Sequence, residues 1–514
     1  MLIKVQSAAN RGLETIGVDV EVNVASRGLP GFDIVGLPDK AVDESKERVR
    51  AAIVSSKMEF PQKKITVNLA PADVPKEGAS YDLPIATGIL ASQMGCKIPE
   101  NSLFFGELSL SGVLRHTRGT FLLALFAKEI GSNTIFVPKD SANEAAIIEG
   151  VKVYPVENLS QLLRHLMERE LIAPAVYQEP SDENLPGISP EFDMSEILGQ
   201  EQAKRAMEIA AAGGHNILMV GSPGAGKTML ARALPGILPR LNKEESLEVT
   251  KIYSAAGYIP PGGSLVRVCQ FRSPHHTASA VGLIGGGTRP QPGEISLAHR
   301  GVLFLDEFNE FPRSVLEAMR QPLEDGYLTI VRSQERVCYP ARFMLVASAN
   351  PCPCGYLNHP KKPCICSPRA IKKYQKRVSG PILDRIDLHV DVPAVDVQEL
   401  SENQKASEFL EPSKVIRERV IKAREIQHQR FKQDSIFTNA EMKNPQIKKY
   451  CQLSKTVEQI LQQAGVKFQL SARAYLKMIK VARTIADLEG SPEIEISHMA
   501  EALQYRSKGY SESY

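Results

Sequence analysis

Three glycines, a lysine and a threonine stand in one run, Gly221-Ser222-Pro223-Gly224-Ala225-Gly226-Lys227-Thr228. Their spacing is G-x-x-x-x-G-K-[ST]. Glycines let successive backbone N–H groups turn inward around phosphate oxygens, and a helix starting there adds positive potential. Lys227 is then placed to reach the β- and γ-phosphates, and the Thr228 hydroxyl to hold Mg²⁺. The chemistry expected of this run is the binding of ATP with Mg²⁺.

Two further groups could act on a bound triphosphate. Residues 301–305 form an apolar run that ends in Asp306 and Glu307. Following a phosphate loop, Asp306 would act on Mg²⁺ through its water shell, and Glu307 would polarise an attacking water. A second apolar run, 342–349, ends in Asn350. Its amide could orient the same water, although an Asn before Pro351 also suits an ordinary turn.

Cysteine supplies another donor set. Of eight cysteines, four cluster as Cys352-x-Cys354 and Cys364-x-Cys366. Four thiolates could form a tetrahedral Zn²⁺ site, although paired zinc cysteines usually have two residues between them. A reduced structural loop and redox chemistry fit the same residues. Residues 361–377 follow with seven basic side chains and no acid. That segment fits a subunit interface, a nucleic-acid surface or a solvated helix. Adjacent imidazoles such as His275-His276 rarely face one ion, so no metal is assigned to them.

The elements needed to position these groups can be read from periodicity. Residues 216–220 have the length and apolarity of a strand, and 229–238 read as the start of a helix. The phosphate loop therefore sits between strand and helix. Upstream, 16–24 and 64–69 alternate as strands, 106–113 and 134–137 read as further strands, and 43–56, 83–93 and 121–129 read as helices. Downstream, 413–430, 455–464, 471–488 and 496–505 have helical spacing. The expected fold is α/β, divided as follows. Residues 1–172 form a mixed α/β domain and 173–192, with four prolines, a linker. Residues 193–398 hold the phosphate-loop domain, built on a parallel sheet, and 399–514 are mostly helical.

Composition narrows the class. With 514 residues there is room for about three domains. A hydrophobic content of 43% and a charged content of 24% are those of a soluble globular chain. No apolar run is long enough to cross a bilayer, and the N-terminus lacks a signal-peptide layout. No membrane partner and a cytoplasmic location are expected. A net charge of +3 does not single out a nucleic-acid partner, so a DNA site would be a local patch.

The stretch 379–388, Ser379-Gly380-Pro381-Ile382-Leu383-Asp384-Arg385-Ile386-Asp387-Leu388, completes a set of motifs with a family signature. Together with 221–228, 293–300, 470–475 and 481–488, it resembles the magnesium-chelatase-like AAA+ ATPases, most closely the ComM/YifB family, over essentially the whole length. The resemblance implies that Asn350 is the sensor-one residue, that Arg385 is an arginine finger reaching a neighbouring subunit's nucleotide, and that Arg473 is the sensor-two arginine on a C-terminal helical lid. An Asp384 or Asp387 ion pair is an additional reading for Arg385. A trans arginine implies a homo-hexameric ring. The family further implies a DNA helicase promoting branch migration in recombination or natural transformation, on single-stranded or branched DNA. A chelatase-like motor that remodels a protein partner is the alternative.

Two insertions accompany this resemblance. Residues 259–300 make a Gly/Pro-rich excursion similar to the helix-two insert of MCM-type helicases. Residues 328–339 read as a hairpin turning near Ser333-Gln334, similar to the pre-sensor hairpin of that group. In a ring both would face the central channel, where Arg332 and Arg336 are candidates for DNA phosphate contacts. A solvated charged turn is the other reading.

The first domain resembles that of Lon protease, with Lys76-Glu77-Gly78-Ala79-Ser80-Tyr81-Asp82 matching the nucleophile turn. Ser80 would stand at the nucleophile. Its activating lysine is missing, since 113–125 contains no lysine and Leu122 stands near the expected place. Lys128 has the wrong helical phase. The domain is therefore read as a non-catalytic relative.

Overall fold

A computed structural model of the chain describes residues 2–26, 29–178, 191–287, 290–331, 336–394 and 410–506. They fall into two units. The first takes the described residues within Met1–Asn184, Lys243–Val266 and Val331–Tyr339; the second takes those within Leu185–Asn242, Arg267–Ile330 and Pro340–Tyr514.

Alternation builds the first unit. In the strand Glu14–Val24, Val18, Val20, Val22 and Val24 are buried, and the acids between them are not. The pairing sets Val20 against Leu69 and Val22 against Val67, with Val5 opposite Val20 on the other side. A slip of one residue would turn this whole valine face to water, so register is strongly specified. The resulting seven-stranded mixed sheet runs Gly31–Val35, Lys64–Ala70, Glu14–Val24, Leu2–Arg11, Ser102–Phe104, Thr134–Pro138, Lys152–Val156. The helix Asp82–Met94 lies on the Leu2–Arg11/Glu14–Val24 hairpin and is buried along most of its length. At its start the fully buried Asp82 carboxylate accepts from Arg48 Nε at 2.8 Å, Arg48 Nη2 at 3.1 Å and the Leu108 amide at 3.2 Å. Removing one partner of such a buried pair typically costs about 3–5 kcal/mol.

Lys243–Ala256, which in sequence lies inside the 193–398 block, packs with this first unit. The buried Glu144 carboxylate accepts from Thr120 Oγ1 at 2.9 Å, from the Phe121 amide at 3.2 Å, and from the Ser254 hydroxyl. Of the expected linker 173–192, Ala175 donates its amide to Val153 at 2.7 Å, and residues 179–190 lie outside the described residues.

The second unit is a five-stranded parallel sheet in the order Phe271–Arg272, Val302–Leu305, Met344–Ala349, Ile217–Gly221, Leu388–Val392. Strands covered on both faces read as continuous apolar runs, and Val302–Leu305 and Met344–Ala349 are buried at every position. The helices Ser413–Arg430, Lys455–Lys467, Ala472–Glu489 and Ile496–Gln504 share one apolar core with this sheet. Serine caps start two of them, Ser454 accepting from the Val457 amide and Ser471 from the Ala474 amide. Polar links reinforce this core: Thr484 meets His215, just before the strand Ile217–Gly221, at 2.8 Å, and between two of the helices the buried Asp487 takes Arg430 Nη1 at 2.8 Å. No helix among the described residues is long and apolar enough to cross a membrane.

Local departures from the expected elements have simple causes. Residues 106–113 are not one strand. Gly112, at φ +84°, reverses the chain, giving a small hairpin of Glu107–Leu108 against Leu114–Arg115. The helix expected at 43–56 breaks at Glu44 into Lys40–Asp43 and Ser45–Ser55. The helix expected at 229–238 starts at Lys227, ends at Ala233 and gives way to a 3₁₀ turn containing Pro235, whose ring cannot continue an α-helix.

Candidate active site

Parallel pairing of Ile217–Gly221, Met344–Ala349 and Val302–Leu305 brings three strand ends to one edge of the sheet. The phosphate loop, Asn350 and Asp306 leave from those ends. In open parallel α/β sheets, ligands bind at that carboxyl edge. Gly224 and Gly226 have φ of +80° and +89°, a conformation that side chains rarely adopt.

Lys227 begins the helix, and its Nζ donates to the carbonyls of Gly221 at 2.7 Å and Ser222 at 2.9 Å, and to Asn350 Oδ1 at 3.3 Å. Burial pulls this ammonium below its ordinary pKa, and the Asp306 charge opposes the shift. Thr228 Oγ1 donates to Asp306 Oδ2 at 2.9 Å, and the Ser348 hydroxyl holds the other oxygen. Ser222 Oγ is buried without a hydrogen-bond partner among the described residues. A buried amine held by two carbonyls of its own loop and by Asn350, an orphaned hydroxyl and a converging hydroxyl–carboxylate pair fit a triphosphate with Mg²⁺.

Glu307 follows with left-handed backbone, φ +53°, and its amide donates to Asp306 Oδ1 at 3.0 Å. Its carboxylate meets His276 Nδ1 at 3.0 Å. His276 in turn lies against His275, with ring centroids 4.1 Å apart. Sequence reasoning weighed this histidine pair only as metal ligands and missed the contact with Glu307. A histidine following a strand carries no local signal of it. Ser348 was missed in the same way.

Arg385 and Arg473 meet on one carboxylate. Glu324 takes Arg473 Nη2 at 2.8 Å on one oxygen and Arg385 Nη2 on the other, while Arg385 Nη1 donates to Pro381 at 2.6 Å. The partner of Arg385 is thus Glu324, not Asp384 or Asp387. Asp387 is taken by His215 at 3.3 Å and Lys477 at 3.6 Å. Sharing Glu324 groups the two arginines as a pair.

The four cysteines converge. Cys352 Sγ lies 3.4 Å from Cys354 and 3.7 Å from Cys364, and Cys354 to Cys364 is 3.6 Å. With Cys366, all four sulfurs lie within 4.8 Å of one another. Zn–S bonds of about 2.3 Å in a tetrahedron put sulfurs roughly 3.8 Å apart. The backbone N–H of Tyr356 draws the Cys354 thiol down to about 6, whereas burial pushes Cys352 up. The cluster could therefore hold a metal.

Of the DNA candidates, Arg336 is exposed at the start of the strand Arg336–Pro340. Arg332 and the turn at Ser333-Gln334 lie outside the described residues. In the first unit Ser80 is nearly buried. Leu122 is in the core, Lys128 is exposed on the same helix, and the buried Lys76 amine donates to the Pro71 carbonyl.

A five-stranded parallel sheet of this order, with these groups at its carboxyl edge and a helical C-terminal region on its core, defines a magnesium-chelatase-like AAA+ protein. Sequence comparison agrees. Residues 193–400 match the family described as magnesium chelatase, subunit ChlI; 20–141 match subunit ChlI of Mg-chelatase; and 410–506 match the ChlI C-terminal family. The class implies ATP and Mg²⁺ as cofactors. The chain is 42% identical to the competence protein ComM of Haemophilus influenzae over 507 residues, 98% of this chain and 97% of that protein. It is 41% identical to YifB of Escherichia coli over 508 residues, covering 98% and 96%. The magnesium-chelatase subunit ChlI of Euglena gracilis is 26% identical over 193 residues, 32% of this chain and 53% of that protein. The chain belongs to the ComM/YifB family.

Proposed function

We propose that the chain is an ATP-hydrolysing motor that assembles as a homo-hexameric ring and acts on DNA in the cytoplasm, as a helicase promoting branch migration during recombination. The observation that carries the ATPase reading is the convergence of Lys227, Thr228, Asp306 and Asn350 on one strand edge. Full-length similarity to a competence protein supports the DNA reading. Residues 1–172 serve as a non-catalytic, Lon-like N-terminal domain, 173–192 as linker, 193–398 as ATPase core and 399–514 as lid. The exposure of Lys128, the burial of Leu122 and the tie of Lys76 to Pro71 support the absence of a Ser–Lys dyad at Ser80.

In this mechanism, the loop amides and Lys227 bind the phosphates, and Thr228 and Asp306 hold Mg²⁺. The metal supplies charge neutralisation at the phosphates when bound. Asn350 positions the attacking water, and Glu307 leaves His276 to accept its proton. Arg385 leaves Glu324 to face the neighbouring subunit's nucleotide, and Arg473 serves as the sensor-two arginine of the lid; positive charge there stabilises the transition state. Zn²⁺ in the four-cysteine cluster is structural, a reading that the sulfur spacing supports. Purified protein, prepared without chelator, is expected to carry about one Zn²⁺ per chain and to lose it on Cys354→Ser. Metal analysis showing none would return the cluster to a plain reduced loop.

The deciding experiment is the ATPase rate with and without single-stranded, double-stranded and branched DNA. Stimulation by DNA supports the reading. Its absence favours the second reading, a motor remodelling a protein partner, which the ChlI family matches support. Arg332 and Arg336 are assigned to phosphate contacts. Replacing both with alanine is expected to flatten the salt dependence of single-strand binding by up to about two phosphate equivalents. Basal ATPase should survive and DNA stimulation should be lost. Unchanged slopes with unwinding intact would place both arginines outside the DNA path.

A further inference from the structure

Only Pro351 separates Asn350, which holds the Lys227 amine, from Cys352, the buried member of the thiol cluster. The cluster's tight turn closes through the Gly355 amide, which donates to the Cys352 carbonyl at 2.9 Å. Gly355 has φ +79°, and a Cβ placed on it would lie 2.5 Å and 2.7 Å from the ring carbons of Pro223 and 3.8 Å from Asn350 Cγ. Glycine is required there because the cluster's backbone lies directly on the phosphate loop. The far side is pinned as well. From the helix Pro368–Gln375, the Gln375 amide donates to the Pro351 carbonyl at 3.2 Å. The Tyr374 carbonyl accepts from Asn309 at 3.5 Å, and Arg377 meets Glu310 at 2.5 Å. The thiol cluster thus bears on the phosphate loop and Asn350, and the helix that follows it, Pro368–Gln375, links its Pro351 end to the turn just after Glu307.

We propose that metal in the four-cysteine cluster and nucleotide in the phosphate loop are thermodynamically coupled, each tightening the other through the Gly355–Pro223 contact and the short link from Cys352 to Asn350. This rests on the zinc reading above and gives that site a role in nucleotide binding. Metal–sulfur bonds fix the turn that bears on Pro223 and the backbone that carries Asn350. Without metal, four thiols crowded at this spacing repel or reorient, and the support under the loop loosens. Nucleotide, in ordering Pro223 and Asn350, restores the geometry the four sulfurs need. Coupling between two binding sites is reciprocal, so one factor describes both directions.

The test uses the full chain loaded with Zn²⁺ and titrated with a chromogenic zinc chelator, with and without a non-hydrolysable ATP analogue and Mg²⁺. Nucleotide should tighten zinc retention by about 5–150-fold. Metal-stripped protein should bind a fluorescent ATP analogue more weakly by the same factor and recover when Zn²⁺ is returned. The zinc-loaded Lys227→Ala chain should show no nucleotide effect on retention, which excludes chelation of zinc by free nucleotide. Equal retention with and without nucleotide, in protein carrying about one Zn²⁺ per chain, overturns the coupling while leaving the zinc site standing. A chain that takes up no zinc overturns both readings, and the metal count shows this before nucleotide is added.

Discussion

Glu307→Gln is expected to bind ATP as the parent does and to lose turnover by about 10²–10⁴-fold, the worth of a positioned general base. The amide keeps the shape of the side chain and its contact with His276 but cannot accept a proton. Its backbone is already committed to a left-handed turn, φ +53°, so the substitution changes charge without changing the path of the chain. Lys227→Ala should behave differently. It removes the ammonium that now satisfies two loop carbonyls and Asn350, and nucleotide binding itself should be lost. Equilibrium binding of a fluorescent ATP analogue, beside single-turnover hydrolysis, separates the two. Hydrolysis by Glu307→Gln at the parent rate would remove Glu307 from the chemistry.

Arg385→Ala should cost more, about 10³–10⁵-fold in hydrolysis, as for other arginines that stabilise the transferring phosphoryl group. Nucleotide affinity should change little, because in the proposed ring Arg385 belongs to the neighbour's site. Mixing Arg385→Ala subunits with Lys227→Ala subunits then restores activity at interfaces where an intact loop meets an intact arginine. Each variant alone stays inactive. In the structure Arg385 and Arg473 both sit on Glu324. Full ATPase activity in a chain that is monomeric under all conditions would sink the trans assignment.

Most of the proposed nucleotide site can be read from the sequence because its pieces are local. The phosphate loop is a single run whose glycines answer a backbone requirement, and the acids at 306–307 follow an apolar run. Parallel strands buried on both faces leave uninterrupted hydrophobic stretches, so 302–305 and 344–349 could be recognised without any partner in view. The helix Ser413–Arg430 was equally plain, since helical periodicity repeats over several turns within one stretch. Residues 106–113 misled because alternation persists through a glycine that reverses the chain.

The amino-acid order by itself therefore determined the class of the fold, the glycine-rich run proposed to bind phosphate, the acids at the end of an apolar strand and the presence of four clustered cysteines. Tertiary structure alone decided what those groups face. Glu307 meets His276, Glu324 gathers Arg385 and Arg473, Glu144 captures Ser254 and draws 243–266 to the first unit, and Gly355 lies on Pro223. The reason is physical. A loop or an apolar run is specified by its own backbone and burial needs, which are written in neighbouring residues. A side-chain contact across a sheet edge depends on where separate elements come to rest, and no spacing along the chain encodes it.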